Sequence, residues 1–272
     1  MQPDAFRLRH HAALERILLF DYALTCRTGL HIGAGKTPDL VGSDLPILRD
    51  AGGRPLVPGS SLRGVLRSGV EALCRSLALD RALASTPPAA PGAPPEVLAG
   101  WRKMDIVDRL FGRVAQQKGD FSYGSRLQIS DARATADVQV ELRDGVGISR
   151  ETRTAAGGVK FDLEVIPAGT RFQGSVRFKN PSDYEVGLVA QAFWMLDAGV
   201  LLLGGKGARG LGWVQVEVSS PTVLEAADIL ARRGGATAQG FVPIEDAFAS
   251  YLSELEELRQ AAASASPGAE RA

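Results

Sequence analysis

The sequence predicts an α+β fold, a ferredoxin-like core that carries insertions, and three observations predict it. Strand-like alternation and helical spacing succeed one another as strand, helix, strands, helix, strand. A proline-rich run at 85–100 and an exposed polar stretch at 143–160 interrupt that order where insertions would sit. At 272 residues, with 45% hydrophobic and 23% charged content, the chain can bury a real core.

Each element follows from its residues. In RILLFDYALTCRT (16–28), Phe20, Tyr22, Leu24 and Cys26 fall on one face and Asp21, Thr25 and Arg27 on the other, a half-buried strand. The loop GLHIGAGKTPDLVGSD follows, then a short strand LPILRD and a turn at AGGRP. Pro58-Gly59 ends the extended segment, and Ser60 or Ser61 is placed to cap a helix. Leu62, Leu66, Val70, Leu73 and Leu77 form its apolar stripe, with Arg63, Arg67 and Arg75 on a neighbouring face. Five prolines exclude regular structure over 85–100. DIVDRLFGRV reads as a short helix and RLQISDARATADVQVEL as extended chain. After the polar excursion, two strands meet at a Pro167-Ala168-Gly169 turn. Val186, Val189, Phe193 and Leu196 space a second helix over 183–198, GWVQVEV closes the core, and 244–258 is a C-terminal amphipathic helix.

Charge and motif content exclude several functions. The 31 Lys+Arg balance 31 Asp+Glu, without the basic excess of a general nucleic-acid binder. The balance is uneven, because 245–272 holds Glu245, Asp246, Glu254, Glu256, Glu257 and Glu270 against two arginines and leaves a mildly basic body. No apolar run approaches the roughly 18–20 residues of a membrane span, and MQPDAFRLRHHAALER lacks a signal-peptide core, so a cytoplasmic protein is expected. Cys26 and Cys74 make neither a metal-site spacing nor a disulfide framework. HExxH, CxxC, GxSxG and the Walker-type loop are absent, and GGKGARGLG follows a helix and precedes a strand, the reverse of a dinucleotide fingerprint.

What remains is a shared composition in three separated segments: GLHIGAGK (29–36), PGSSLRG (58–64) and GGKGARGLG (204–212). Each offers backbone N–H groups with a cation or a hydroxyl. Glycine admits close backbone approach, and the helix N-terminus at Ser60–Ser61 attracts anions. Brought together, the three would cradle a phosphate backbone without reading its bases.

These segments, with SDLPILRDAGGRPLVPGSSLRGVLRS, DRLFG, GGVKFDLEVIPAGTRF and LLLGGKGARGLGWVQVE, resemble the RAMP superfamily of CRISPR-associated proteins over residues 17–218. The match is to the repeated backbone subunit of type III (Csm- and Cmr-like) effector complexes. The resemblance implies an RRM-like core with a thumb hairpin, copies that stack along a guide CRISPR RNA beside other effector subunits, and a single-stranded target RNA kinked and cut with a divalent ion, Mg or Mn. It implies a single domain over 1–245, with an insertion at about 81–104 and the thumb at about 137–162, then an acidic helix and tail over 246–272. Family spacing puts the catalytic role on Asp44, two residues before Pro46. Asp39 is the nearest competitor, and Asp50 pairs with Arg49, Arg54 or a turn N–H. No metal ligand set is implied. The expected RNA contacts are His31, Lys36, Ser60, Ser61, Arg63, Arg67, Gly205, Lys206, Gly207 and Arg209, with Arg150, Arg153 and Lys160 on the thumb and Val146 and Ile148 as its wedge.

Cleavage by one carboxylate is chemically sufficient, because RNA carries its own nucleophile, the 2′-OH. Two other readings use the same scaffold: a subunit that holds guide RNA without cutting, and a histidine-based endoribonuclease that processes guides. A small-molecule phosphate binder leaves the three separated loops unexplained.

Overall fold

A computed structural model describes residues 14–35, 43–77, 104–116, 122–234 and 240–264, with backbone alone over 155–159 and 261–264. Lys36, Asp39 and nearly all of the 81–104 insertion lie outside the described residues.

The first strand, β1 (Arg16–Cys26), is the centre of the molecule. Leu18, Phe20, Tyr22, Leu24 and Cys26 are buried along one face, as the alternation predicts. Two residues of strand, β2 (Leu56–Val57), lead into α1 (Gly59–Leu77). The short helix α2 (Ile106–Phe111) precedes two three-residue strands, β3 (Leu127–Ile129) and β4 (Ala132–Ala134). A hairpin, β5 (Glu141–Ile148) and β6 (Ala155–Val165), forms a separate two-stranded sheet before β7 (Arg171–Lys179). Then come α3 (Asp183–Asp197), β8 (Val214–Val218) and β9 (Thr222–Glu225). Three helices end the described chain: α4 (Ala226–Leu230), α5 (Ile244–Ala247) and α6 (Ala249–Ser264).

The main sheet runs β2-β4-β7-β1-β8 and is antiparallel throughout, with β3 also on β7 and β9 also on β1. Counting the core as β1–α1–(β3, β4)–β7–α3–β8, this is the ferredoxin-like order, with its first and third strands in the middle. Helices α1 and α3 share one core with the sheet through Leu62, Leu66 and Val70 and through Val186, Val189, Phe193 and Leu196. The Phe193 ring lies 5.8 Å from both Phe20 and Tyr22. Ser182 and Glu185 cap α3 reciprocally, and Glu185 also pairs with Arg126 in a buried ion pair. No helix among the described residues is long and apolar enough to cross a membrane.

Four sequence readings change. Leu77, placed on the α1 stripe, is 42% exposed, and Cys74 is buried at that end of the helix instead. Ser60 and Ser61 are not caps: Pro58 occupies that place, its carbonyl accepting from Leu62 at 3.1 Å, and both serines lie in the first turn. The first helical N–H, that of Gly59, donates to Asp131 Oδ1 at 2.8 Å, so a carboxylate already sits at the predicted anion site. LPILRD is not a strand, because Leu45, Ile47 and Arg49 each bridge to a different segment: Leu163, Gly33 and Pro55. The C-terminal helix is two helices, broken where Phe248 turns into the core.

Candidate functional site

At the end of the sheet where β1 stops and β8 starts, two of the three glycine segments meet. The Gly212 N–H donates to the Gly29 carbonyl at 2.9 Å, and the Gly205 N–H to the His31 carbonyl at 2.9 Å. The approach is close enough that only glycine fits. A Cβ on Gly204 would lie 2.4 Å from the His31 oxygen, and one on Gly212 would lie 2.3 Å from the Leu203 oxygen. Between them a single 3₁₀ turn, Gly207–Arg209, is flanked by Lys206 and Gly210 in the left-handed region. The third segment, at the start of α1, packs against Ile129, Ser130 and Asp131 and is not joined to this junction by any hydrogen bond among the described residues.

The base of the hairpin completes the junction. Leu45 donates to the Asp162 carbonyl at 3.0 Å and accepts from Glu164 at 3.1 Å, while Leu30 and Ile166 exchange hydrogen bonds at 2.9 and 2.8 Å. Leu163, Val165 and Leu211 form a small core of their own, with Leu45 and Phe161 against it. The Arg209 guanidinium lies 5.5 Å from the centre of the Phe161 ring, which ties the glycine loop to the hairpin.

Asp44 is exposed at this place, its Oδ2 accepting the Asp162 N–H at 3.0 Å. Asp162 stands opposite Asp144 in the hairpin ladder. A hydrogen bond with Asp144 raises the Asp162 carboxyl above its usual range, and repulsion from Asp144 and Asp44 adds to it. Asp50 behaves as a turn residue: the Arg54 amide, above all, holds its carboxyl below the usual range, and the Gly52 amide and Arg54 guanidinium add to this. Among the described residues no three His, Cys, Asp or Glu side chains form a metal cage. A single exposed carboxylate oxygen, Asp44 Oδ1, suits Mg²⁺, which commonly binds one or two carboxylates and keeps its waters or phosphate oxygens.

Several expected RNA contacts have other work. His31 is only 5% exposed. Its Nδ1 lies 2.8 Å from the Glu164 carbonyl, which can only accept, so Nδ1 carries the hydrogen and the ring braces two loops and β6. Arg67 donates to Glu71 at 3.0 Å, the Gly112 carbonyl at 2.7 Å and Asp108 at 3.0 Å. Arg63 donates to the Phe111 carbonyl. The two arginines therefore clamp α2 and its Gly112 turn onto α1, and they line a cavity of about 620 Å³ with Asp108, Arg113 and Tyr123. Ser60 is exposed, Ser61 half-buried, and Arg150 and Arg153 are exposed at the hairpin tip. Lys206 is half-buried beside Gly205 and Gly207, and Arg209 is exposed.

Three residues that matter here lie inside the segment GGVKFDLEVIPAGTRF, but nothing in the sequence singled them out from it. The Glu164 carboxylate accepts from the Ile47 N–H at 3.0 Å and from Arg49 at 3.2 Å. Asp162 holds Asp44, and Phe161 seats Arg209, lying so near β5 that a Cβ on Gly145 would be 2.2 Å from its ring.

Fold and junction together define the class: the chain belongs to the RAMP superfamily, whose family model matches residues 23–215. Within it, the chain is similar to proteins named CRISPR system Cms endoribonuclease Csm3. It is 30% identical to that of Enterococcus italicus over 206 residues, 71% of this chain and 86% of the relative. The Methanothermobacter thermautotrophicus protein is 50% identical over 60 residues, 21% of this chain and 22% of the relative. That of Methanocaldococcus jannaschii is 44% identical over 59 residues, 21% and 24% of the two chains.

Proposed function

We propose that this chain is a backbone subunit of a type III RNA-guided complex and that it cleaves target RNA through Asp44. The observation that carries the reading is the place of Asp44: exposed, and fixed by the Asp162 amide where the glycine loop meets the hairpin. Guide CRISPR RNA would run along Lys206, Arg209 and the N–H groups of 205–207, with copies of the chain, or related subunits, and the other effector subunits continuing the path. The target strand would cross the hairpin, near Arg150 and Arg153.

In the cleavage step, the 2′-OH of the splayed nucleotide attacks the adjacent phosphorus and the 5′-oxygen leaves. Asp44 takes the 2′ proton through a bridging water, and solvent water supplies a proton to the leaving 5′-oxygen. Restraint of Asp44 by Asp162 keeps it in line for that transfer. A hydrated Mg²⁺ or Mn²⁺ on Asp44 Oδ1 would neutralise charge on the phosphate. A guide-processing enzyme would typically use an accessible histidine; among the described residues the histidine is His31, which is enclosed with Nδ1 engaged, while His10 and His11 lie outside them.

The test is cleavage of labelled target RNA by the guide-loaded complex with Mg²⁺ or Mn²⁺, comparing wild type with Asp44→Ala. The expected result is regular cutting by wild type, and at least a hundredfold slower cutting by the variant at equal target affinity. A variant that cuts like wild type removes Asp44 from the chemistry. If neither protein cuts while both bind, the chain is scaffold.

A further inference from the structure

A second feature of the glycine loop lies at its end, where β8 begins. The loop ends in Trp213, whose side chain is 43% exposed, although the residue immediately before it, Gly212, is buried. The indole does not swing freely. Its Nε1–H donates to the Asp197 carbonyl at 2.9 Å, and its backbone N–H donates to Thr28 Oγ at 3.1 Å. Gly199, at φ +73, lies so close beneath that a Cβ there would be 3.1 Å from Nε1 and 3.3 Å from Cδ1. The ring thus lies against a residue with no side chain, and together Trp213, Gly199 and Ala198 form one wall of a shallow cavity of about 320 Å³. Thr28, Leu202 and Gly210 line that cavity with them, and Gly210 follows Arg209 directly.

We infer that this cavity receives a nucleobase, stacked on Trp213, from the RNA strand whose phosphates the Lys206–Arg209 loop holds; the inference rests on the RNA reading of that loop. A rigid aromatic ring a few residues from two cations is the pairing that single-strand binding uses, phosphate attraction beside base stacking. The cavity is continuous with the loop and offers an apolar floor with little hydrogen-bonding geometry. It therefore takes any base by its face and gives affinity without sequence preference. The exposed Val200 and Leu202 beside it would suit a protein contact, but neither explains a tryptophan pinned through both its indole and its backbone N–H.

The probe is a short oligouridylate and an abasic strand of the same length, which keeps the phosphates and lacks the bases. The chain has three tryptophans, so Trp101→Phe with Trp194→Phe leaves Trp213 as the sole indole. Its emission is expected to quench as oligouridylate saturates and to hold steady when the abasic strand binds. Trp213→Ala is expected to weaken oligouridylate binding about 5- to 100-fold and Trp213→Phe by far less, with no change in either for the abasic strand. Equal quenching by both strands overturns the inference. So does a Trp213→Ala protein that binds oligouridylate like wild type while Lys206→Ala/Arg209→Ala binds weakly, and in that case the loop reading survives. If the double variant also binds like wild type, the RNA reading of the loop fails first and the inference with it. A Trp213→Ala protein of unchanged RNA affinity but altered self-association assigns the patch to a protein contact and overturns the inference.

Discussion

Glu164 joins three segments through three different groups. Its carboxylate takes the Ile47 amide and Arg49, its carbonyl takes His31 Nδ1–H, and its N–H reaches Leu45. Ile47 is 2% exposed, so in Glu164→Ala its N–H has no replacement acceptor. We expect that variant to lose about 1–3 kcal/mol of stability in urea denaturation, the cost of a stranded buried donor. Glu164→Gln keeps an acceptor for Ile47 and loses only the half-exposed Arg49 pair, so it should stay within about 1 kcal/mol of wild type. Asp162 gives a pH signature. Its folded-state value lies above that of an ordinary carboxyl, so between the two values the folded chain holds more protons than the unfolded one. Acidifying through that window should stabilise wild type relative to Asp162→Asn, and the advantage should vanish as pH rises past it. Melting temperatures of both proteins from pH 7 to pH 4 check the sign, and a wild-type melting temperature that falls relative to that of Asp162→Asn on acidification would contradict it. None of these partners is visible in sequence. Glu164 and Ile47 stand 117 positions apart, and Asp44 and Asp162 stand 118 apart, so only the fold brings them together.

Among the elements, the loops show what glycine is for. Gly204 and Gly210 have nearly the same backbone, φ +77 and φ +81, but a Cβ on Gly204 meets the His31 carbonyl while one on Gly210 meets nothing within 4 Å. Gly210→Ala should therefore cost only the left-handed penalty, about 1–2 kcal/mol. Gly204→Ala must also push the two loops apart, and should cost more and weaken RNA binding beyond any thermal effect. Equal melting temperatures for the two variants would show that the junction yields easily. Composition marked these loops as special but could not say which glycine carries the contact. Regular elements were more legible. Alternation set β1, and the spacing of Val186, Val189, Phe193 and Leu196 set α3, because each keeps one period of buried residues against the sheet core, even though α3 is covered by α6 as well. LPILRD misled because its alternate residues Leu45, Ile47 and Arg49 serve three different partners, and alternation does not encode which strand lies beside it. The arginines of α1 show the same limit: their spacing gave a face, on which Arg63 and Arg67 reach α2 and Gly112 while Arg75 stays exposed.

In the whole molecule, the family match ends at residue 215, yet the core does not. Ile244 and Phe248 are each 1% exposed, and the Phe248 ring stands edge-on to Phe20 at 5.0 Å, against the central strand. Helix α6 approaches α3 so tightly that a Cβ on Gly187 would be 2.4 Å from the Tyr251 carbonyl oxygen. The acidic character of this region, its most visible feature in sequence, sits on the outer side: Glu256 pairs with Arg259 in solvent, a contact that contributes little to stability. The C-terminal helices thus act through their apolar side. Phe248→Ala should cost about 3–5 kcal/mol, a large share of the roughly 5–15 kcal/mol that holds a domain folded, whereas Glu256→Ala should change stability by less than about 0.5 kcal/mol. A chain cut after residue 240 should lose cooperative unfolding altogether, because Phe20 and Phe193 would face water. Urea titrations of the three proteins decide between a core element and an appendage. If Phe248→Ala and the shortened chain unfold at the wild-type midpoint, the sheet and its two core helices suffice, and the C-terminal pair is left with its charge as its remaining asset.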